Sequence, residues 1–117
     1  MVSEIRQGQV YWLDFGPPTG SAPAGRHPCV VVQNDVFNRS AIATTVVCLI
    51  TSNLDRAKAP GNVLLRKGEG NLPKASVVNV SQIVTVDKAE LDEYAGDLTG
   101  GSVNAVCQGL QLLFDRI

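Results

Sequence analysis

Two short stretches of this 117-residue sequence combine side chains suited to acting on a phosphate. Arg26-His27 stands just before one apolar run, and Thr51-Ser52 stands just after another. Arginine presents a rigid fork of donors that fits a phosphoryl group. Histidine exchanges a proton near neutral pH, and the Thr and Ser hydroxyls can donate to phosphoryl oxygens. Together these types suit metal-free cleavage of RNA. The 2′-hydroxyl attacks the adjacent phosphate, a base takes its proton, and cations stabilise the crowded dianionic state. RNA brings its own nucleophile, so none is demanded of the protein. The same residues have plainer uses: an arginine before a strand joins a surface ion pair, and a strand-end Thr-Ser caps a turn. Pattern alone leaves both readings open.

Other chemistries find little support. Gly68-Glu69-Gly70 is followed by Pro73 where a nucleotide-binding turn needs a further glycine and a helix start, and no Gly-Lys-Ser/Thr phosphate loop occurs. The acidic residues never gather in a magnesium-holding pattern. Cys29, Cys48 and Cys107 form no C-x-x-C pair, and the single histidine, His27, has no partner at metal-ligand spacing. All three cysteines lie in apolar stretches and are expected as buried, reduced core thiols. No metal and no other cofactor is expected.

Positioning the two stretches requires strands. Gln9 to Phe15 is rich in aromatic and branched residues and reads as a strand, with Tyr11, Leu13 and Phe15 on one face and Val10, Trp12 and Asp14 on a wetter one. Residues 16–27 hold six Gly or Pro and read as a long loop ending in Arg26-His27. Further strands are expected over 28–33, 44–50, 63–66, 76–80 and 83–86. Asn34-Asp35 would cap a turn or two of helix. A short helix is expected over 87–96. After Thr99-Gly100-Gly101-Ser102, a final helix carries Val103, Val106, Cys107, Leu110, Leu113 and Phe114 on one face, and Gly109 inside it would permit close packing. Six short strands and one amphipathic helix predict a mainly β protein, a small barrel with the helix packed on it.

The length predicts one domain, 1–117. With 44% hydrophobic and 18% charged residues the chain is not of disordered type. No apolar run approaches the roughly 18 residues of a membrane span. The opening residues lack the order of a secretory signal, so a cytoplasmic setting and no membrane partner are expected. The net charge of −1 conceals an asymmetry. Residues 1–74 hold eight Lys/Arg against five Asp/Glu, and residues 75–117 hold two against six. An anionic partner would meet the N-terminal two-thirds.

Several segments, in order, carry a resemblance to a known family: Gly8-Gln9-Val10-Tyr11, Gly20-Ser21, His27-Pro28-Cys29-Val30-Val31-Val32-Gln33-Asn34-Asp35, Ile50-Thr51-Ser52-Asn53, Pro60-Gly61-Asn62-Val63, Leu72-Pro73-Lys74-Ala75-Ser76-Val77-Val78-Asn79, Gln82-Ile83 and Thr85-Val86-Asp87-Lys88. Nearly end to end, the chain resembles the MazF/PemK family of mRNA interferases, the toxins of type II toxin–antitoxin pairs. The resemblance implies an SH3-like, CcdB/PemK-like barrel with a C-terminal helix, acting as a homodimer. It implies a metal-independent, sequence-selective endoribonuclease that cuts single-stranded RNA or mRNA to 2′,3′-cyclic phosphate and 5′-hydroxyl ends. It also implies a MazE-like antitoxin whose disordered tail blocks the groove, with operator DNA bound only by the toxin–antitoxin complex.

Within the resemblance, Thr51 and its neighbour Ser52 match the family's strand-end catalytic threonine. The family's catalytic arginine directly precedes the strand's proline, but here His27 precedes Pro28 and Arg26 lies one position earlier. The loop reads Gly20-Ser21-Ala22 where many members carry an acid. Three outcomes stay open: Arg26 reaches the phosphate through a local shift, His27 transfers the proton with Arg26 as electrostatic support, or cleavage is weakened. Asn34 and Gln82 match positions near the family's RNA groove, and equally suit satisfied turns. Trp12 would stack a base or form a barrel-surface or dimer contact. Two alternatives share the scaffold. One is a cleavage-dead RNA or antitoxin binder. The other is a CcdB-like gyrase poison, whose tryptophan–glycine–isoleucine ending differs from the Phe114-Asp115-Arg116-Ile117 of this chain.

Overall fold

The computed structural model describes residues 4–116. Six strands form one antiparallel sheet: β1 (Gln9–Asp14), β2 (Arg26–Val31), β3 (Thr44–Thr51), β4 (Val63–Leu65), β5 (Ser76–Asp87) and β6 (Glu93–Asp97). Their order across the sheet is β4-β5-β3-β2-β1-β6. Helix α1 (Asp35–Asn38) follows β2 and helix α2 (Gly100–Phe114) follows β6. The sheet curls into a half-barrel because the turn after β4 reaches the far edge. Asn71 Nδ2 donates to the Ala95 carbonyl at 2.7 Å, and the Glu69 carboxylate accepts from the backbone N–H and hydroxyl of Thr99 at 3.2 Å. A Cβ on Gly96 would stand 2.9 Å from the Gly70 carbonyl carbon, so this closure needs glycine there.

Successive residues of a strand point to opposite faces, and both faces of this sheet are covered. On one, Val10, Val30, Cys48, Ile50, Val78 and Val80 pack with Val106 of α2. On the other, Tyr11, Cys29, Val31 and Val47 pack with Ile5, Val86 and Leu91. The face of β1 expected to be wet is therefore dry at Val10 and opens only toward Trp12 and Asp14. Cys29 and Cys48 are buried as expected, whereas Cys107 is only half-buried.

Helix α2 begins as its start signals indicate, with the Thr99 hydroxyl accepting from Ser102 N–H at 3.2 Å. A Cβ built on Gly109 would lie 2.1 Å from the Gly61 carbonyl oxygen, which accounts for a helix-disfavouring residue at that point. Of the expected apolar face, Leu113 and Phe114 are exposed.

Three boundaries differ from the sequence reading. The two strands expected over 76–80 and 83–86 are one, β5, with a register jump: Cys48 faces Ile83 but Leu49 faces Asn79. The unpaired residues between form a bulge, and Val80 N–H donates instead to Asn62 Oδ1 at 2.9 Å. The helix expected over 87–96 is a single 3₁₀ turn, Lys88–Glu90, followed by β6. Pairing with the free edge of β1, plus an edge-to-face contact of Tyr94 with Tyr11 at 5.7 Å, outweighs the helical propensity of Lys-Ala-Glu-Leu. The third boundary is that Arg26 and His27 belong to β2 and not to the loop.

Candidate active site

Membership of β2 fixes the backbone of Arg26 and His27. Asp14 pairs with Arg26, Leu13 with His27 and Trp12 with Pro28 across the β1–β2 ladder. The β2–β3 ladder ends at Cys29↔Leu49. Continued beyond its end, the same register runs from His27 to Thr51 on the neighbouring strand. Beyond this point the strand ends wall a cleft of about 300 Å³ lined by Trp12, Arg26, His27, Thr51, Ser52, Lys74 and Ser76 over a floor that includes Ile50 and Leu72. Arg26 and Lys74 are among its lining residues, and none of these carries a carboxylate.

All four residues expected to do chemistry, and Trp12, therefore share one cleft within a single chain. Asn34 and Gln82 do not line it. Asn34 caps α1, its side-chain oxygen accepting from Val36 N–H at 2.8 Å. Gln82 accepts from Asn79 Nδ2 at 3.1 Å beside the β5 bulge. Sequence reasoning does not single out Lys74 and Ser76. Both sit in the Leu72-Pro73-Lys74-Ala75-Ser76 segment, whose loop-to-strand transition carries them to the rim.

The local bonds define what each group can offer. Thr51 Oγ1 accepts from Asn53 N–H at 3.1 Å, a strand-end cap that leaves the hydroxyl proton available to donate. Asn53 in turn accepts from Asp55 N–H at 3.2 Å, starting the 3₁₀ turn Leu54–Lys58. The guanidinium carbon of Arg26 lies 4.4 Å from the Trp12 ring centre, and its Nη2 pairs with the Glu93 carboxylate. Arg26 thus leans across β1 toward β6, away from β3. His27 is half-buried, its ring centre 6.4 Å from that of Phe15.

A larger hollow, about 980 Å³, lies elsewhere and is lined by Glu4, Tyr11, Arg39, Lys88, Asp92 and Tyr94 among others. It mixes cations with carboxylates, which suits a polyanion poorly; the smaller cleft is lined by cations and hydroxyls without a carboxylate.

Residues 6–114 match the family described as PemK-like, MazF-like toxin of type II toxin-antitoxin system. The chain belongs to this family. Among curated members it is 42% identical over 111 residues to Endoribonuclease MazF2 of Mycobacterium bovis, covering 95% of this chain and 97% of that one. Two solved structures share the fold. One is an endoribonuclease from mycobacterial species, with TM-score 0.73, 25% identity and coverage of 95% and 91% of the two chains. The other is an endoribonuclease in complex with its cognate antitoxin, also from mycobacterial species, with TM-score 0.71, 27% identity and coverage of 93% and 91%. The family's half-barrel and C-terminal helix are those described above.

Proposed function

We propose that this MazF/PemK family member is an endoribonuclease toxin that cuts single-stranded RNA by attack of the ribose 2′-hydroxyl on the adjacent phosphate. The observation carrying this reading is that Arg26, His27, Thr51 and Lys74 all line one cleft that no carboxylate lines. His27 takes the 2′-hydroxyl proton as the oxygen bonds to phosphorus. The bond to the 5′-oxygen breaks, and the imidazolium returns its proton to that oxygen, leaving a 2′,3′-cyclic phosphate and a 5′-hydroxyl. Thr51 donates to a non-bridging oxygen, with Ser52 beside it, while Arg26 and Lys74 offset the developing second negative charge. The register alignment of His27 with Thr51 and the lean of Arg26 toward β6 favour His27 as the proton carrier and Arg26 as electrostatic support. Asn34 and Gln82 would then meet only nucleotides flanking the scissile one.

The partners follow from the family. They are a second copy of the chain, a cognate antitoxin competing for the groove, and operator DNA engaged only through that complex, all in the cytoplasm. Among the described residues no helix is long and apolar enough to cross a membrane. Incubation of purified protein with a mixed RNA ladder in EDTA tests the reading. Discrete cleavage is expected, and RNA that stays intact would refute it.

A further inference from the structure

Trp12 on β1 and Glu93 on β6 are cross-strand partners. Arg26 reaches both from β2: its guanidinium covers the indole and its Nη2 engages the Glu93 carboxylate. The sheet order places β2 between β3 and β1, so this side chain extends away from the strand that carries Thr51. Two assets of the cleft are thereby held back at once. The guanidinium charge is compensated, and the indole face on which a base would stack is occupied.

Resting on the endoribonuclease reading, we propose that Glu93 is a positioning residue that restrains Arg26 on Trp12 until an RNA phosphate takes over the guanidinium. One displacement then supplies a cation to the phosphate and an open aromatic face to the neighbouring base. The restraint is suitably weak. Both side chains of the pair are 53% exposed, and exposed ion pairs are readily exchanged. An RNA phosphate offers Arg26 an equivalent anion with bidentate geometry.

Trp12 is the sole tryptophan, so its fluorescence reports on the restraint without any RNA. In Glu93→Gln, acrylamide quenching should rise toward the level of Arg26→Ala, in which the indole is uncovered. With a mixed-sequence RNA substrate the same variant should lower KM about two- to fivefold, the range that loss of an exposed ion pair allows, with a smaller change in kcat. Damage to the β6 edge would also raise quenching but would not lower KM. Quenching equal to wild type overturns the proposal, as does a KM that rises. Wild-type protein that leaves RNA intact would remove the functional reading itself; unchanged quenching in a protein that does cut removes only the role of Glu93.

Discussion

Arg26 stands with its guanidinium carbon 4.4 Å from the centre of the Trp12 ring. Its neighbour His27 is one step along β2, where alternation turns it to the other face. Two adjacent residues of one strand thus present opposite faces of the sheet at the rim of the cleft, and their removal should have different kinetic consequences.

His27→Ala should lower kcat about 10²- to 10⁴-fold, the usual contribution of a general acid–base group. Arg26→Ala should raise KM and lower kcat by less than His27→Ala does, because its charge meets the phosphate in substrate and transition state without carrying a proton. Steady-state cleavage of one fluorescent RNA by both variants separates the roles. A kcat loss confined to Arg26→Ala would reverse the assignment.

Thr51→Val keeps the shape of the side chain but removes the hydroxyl, so one donor to the phosphoryl oxygen is lost. A fall of about 10²-fold in kcat is expected. Thr51→Ser should retain most activity, because a serine hydroxyl can also accept from Asn53 N–H as Thr51 does. Paired kinetic and denaturation measurements on both variants check this.

RNA affinity should fall steeply with added salt, since phosphate contacts release counterions. Lys74→Ala should reduce the slope of log K against log salt by about 0.7, the increment for one phosphate contact on a single strand. Binding of an uncleavable 2′-O-methyl RNA across a salt series measures it.

Gly109→Ala improves helix propensity by about 1 kcal/mol, yet its Cβ would fall 2.1 Å from the Gly61 carbonyl oxygen. Backbone on both sides leaves little room to yield. We expect a net loss of about 1–3 kcal/mol, in the range of overpacking, read as a lower urea midpoint with an unchanged m-value.

Burial pushes the Cys29 and Cys48 thiols each up to about 12, with neighbouring thiols adding to the effect. The folded state therefore retains protons that the unfolded chain surrenders above about 9. Stability should hold below that pH and decline as pH climbs toward 12. Urea titrations at pH 8 and pH 10.5 test the sign, and at pH 8 neither thiol should react with Ellman's reagent until the protein unfolds.

The sheet core is legible in the sequence because Val30-Val31 and Val46-Val47 carry uninterrupted apolar character that only a doubly covered strand explains. The role of Gly109 is legible for a related reason: a costly residue in a strong helix pattern implies contact. β6 is not legible. Its Glu93-Tyr94-Ala95-Gly96-Asp97 lacks strand periodicity and is held by pairing with β1, a long-range fact that local pattern does not carry. The strand break expected at Ser81-Gln82 is a bulge stabilised by Asn62, 18 positions from Val80 in sequence. At the site, Thr51 is legible from its place after an apolar run. The pairing of Arg26 with Glu93 spans 67 residues, beyond the reach of motif reading.

End-group analysis of the cleaved RNA bears most directly on attack by the ribose hydroxyl. Wild-type protein in EDTA should leave 2′,3′-cyclic phosphate and 5′-hydroxyl termini, and the same RNA with 2′-deoxy sugars should remain whole. Fragments bearing 5′-phosphates, or cleavage of the 2′-deoxy strand, would show that another nucleophile is used. Either result would contradict proton transfer by His27 and phosphate contact by Thr51 in a metal-free cyclisation.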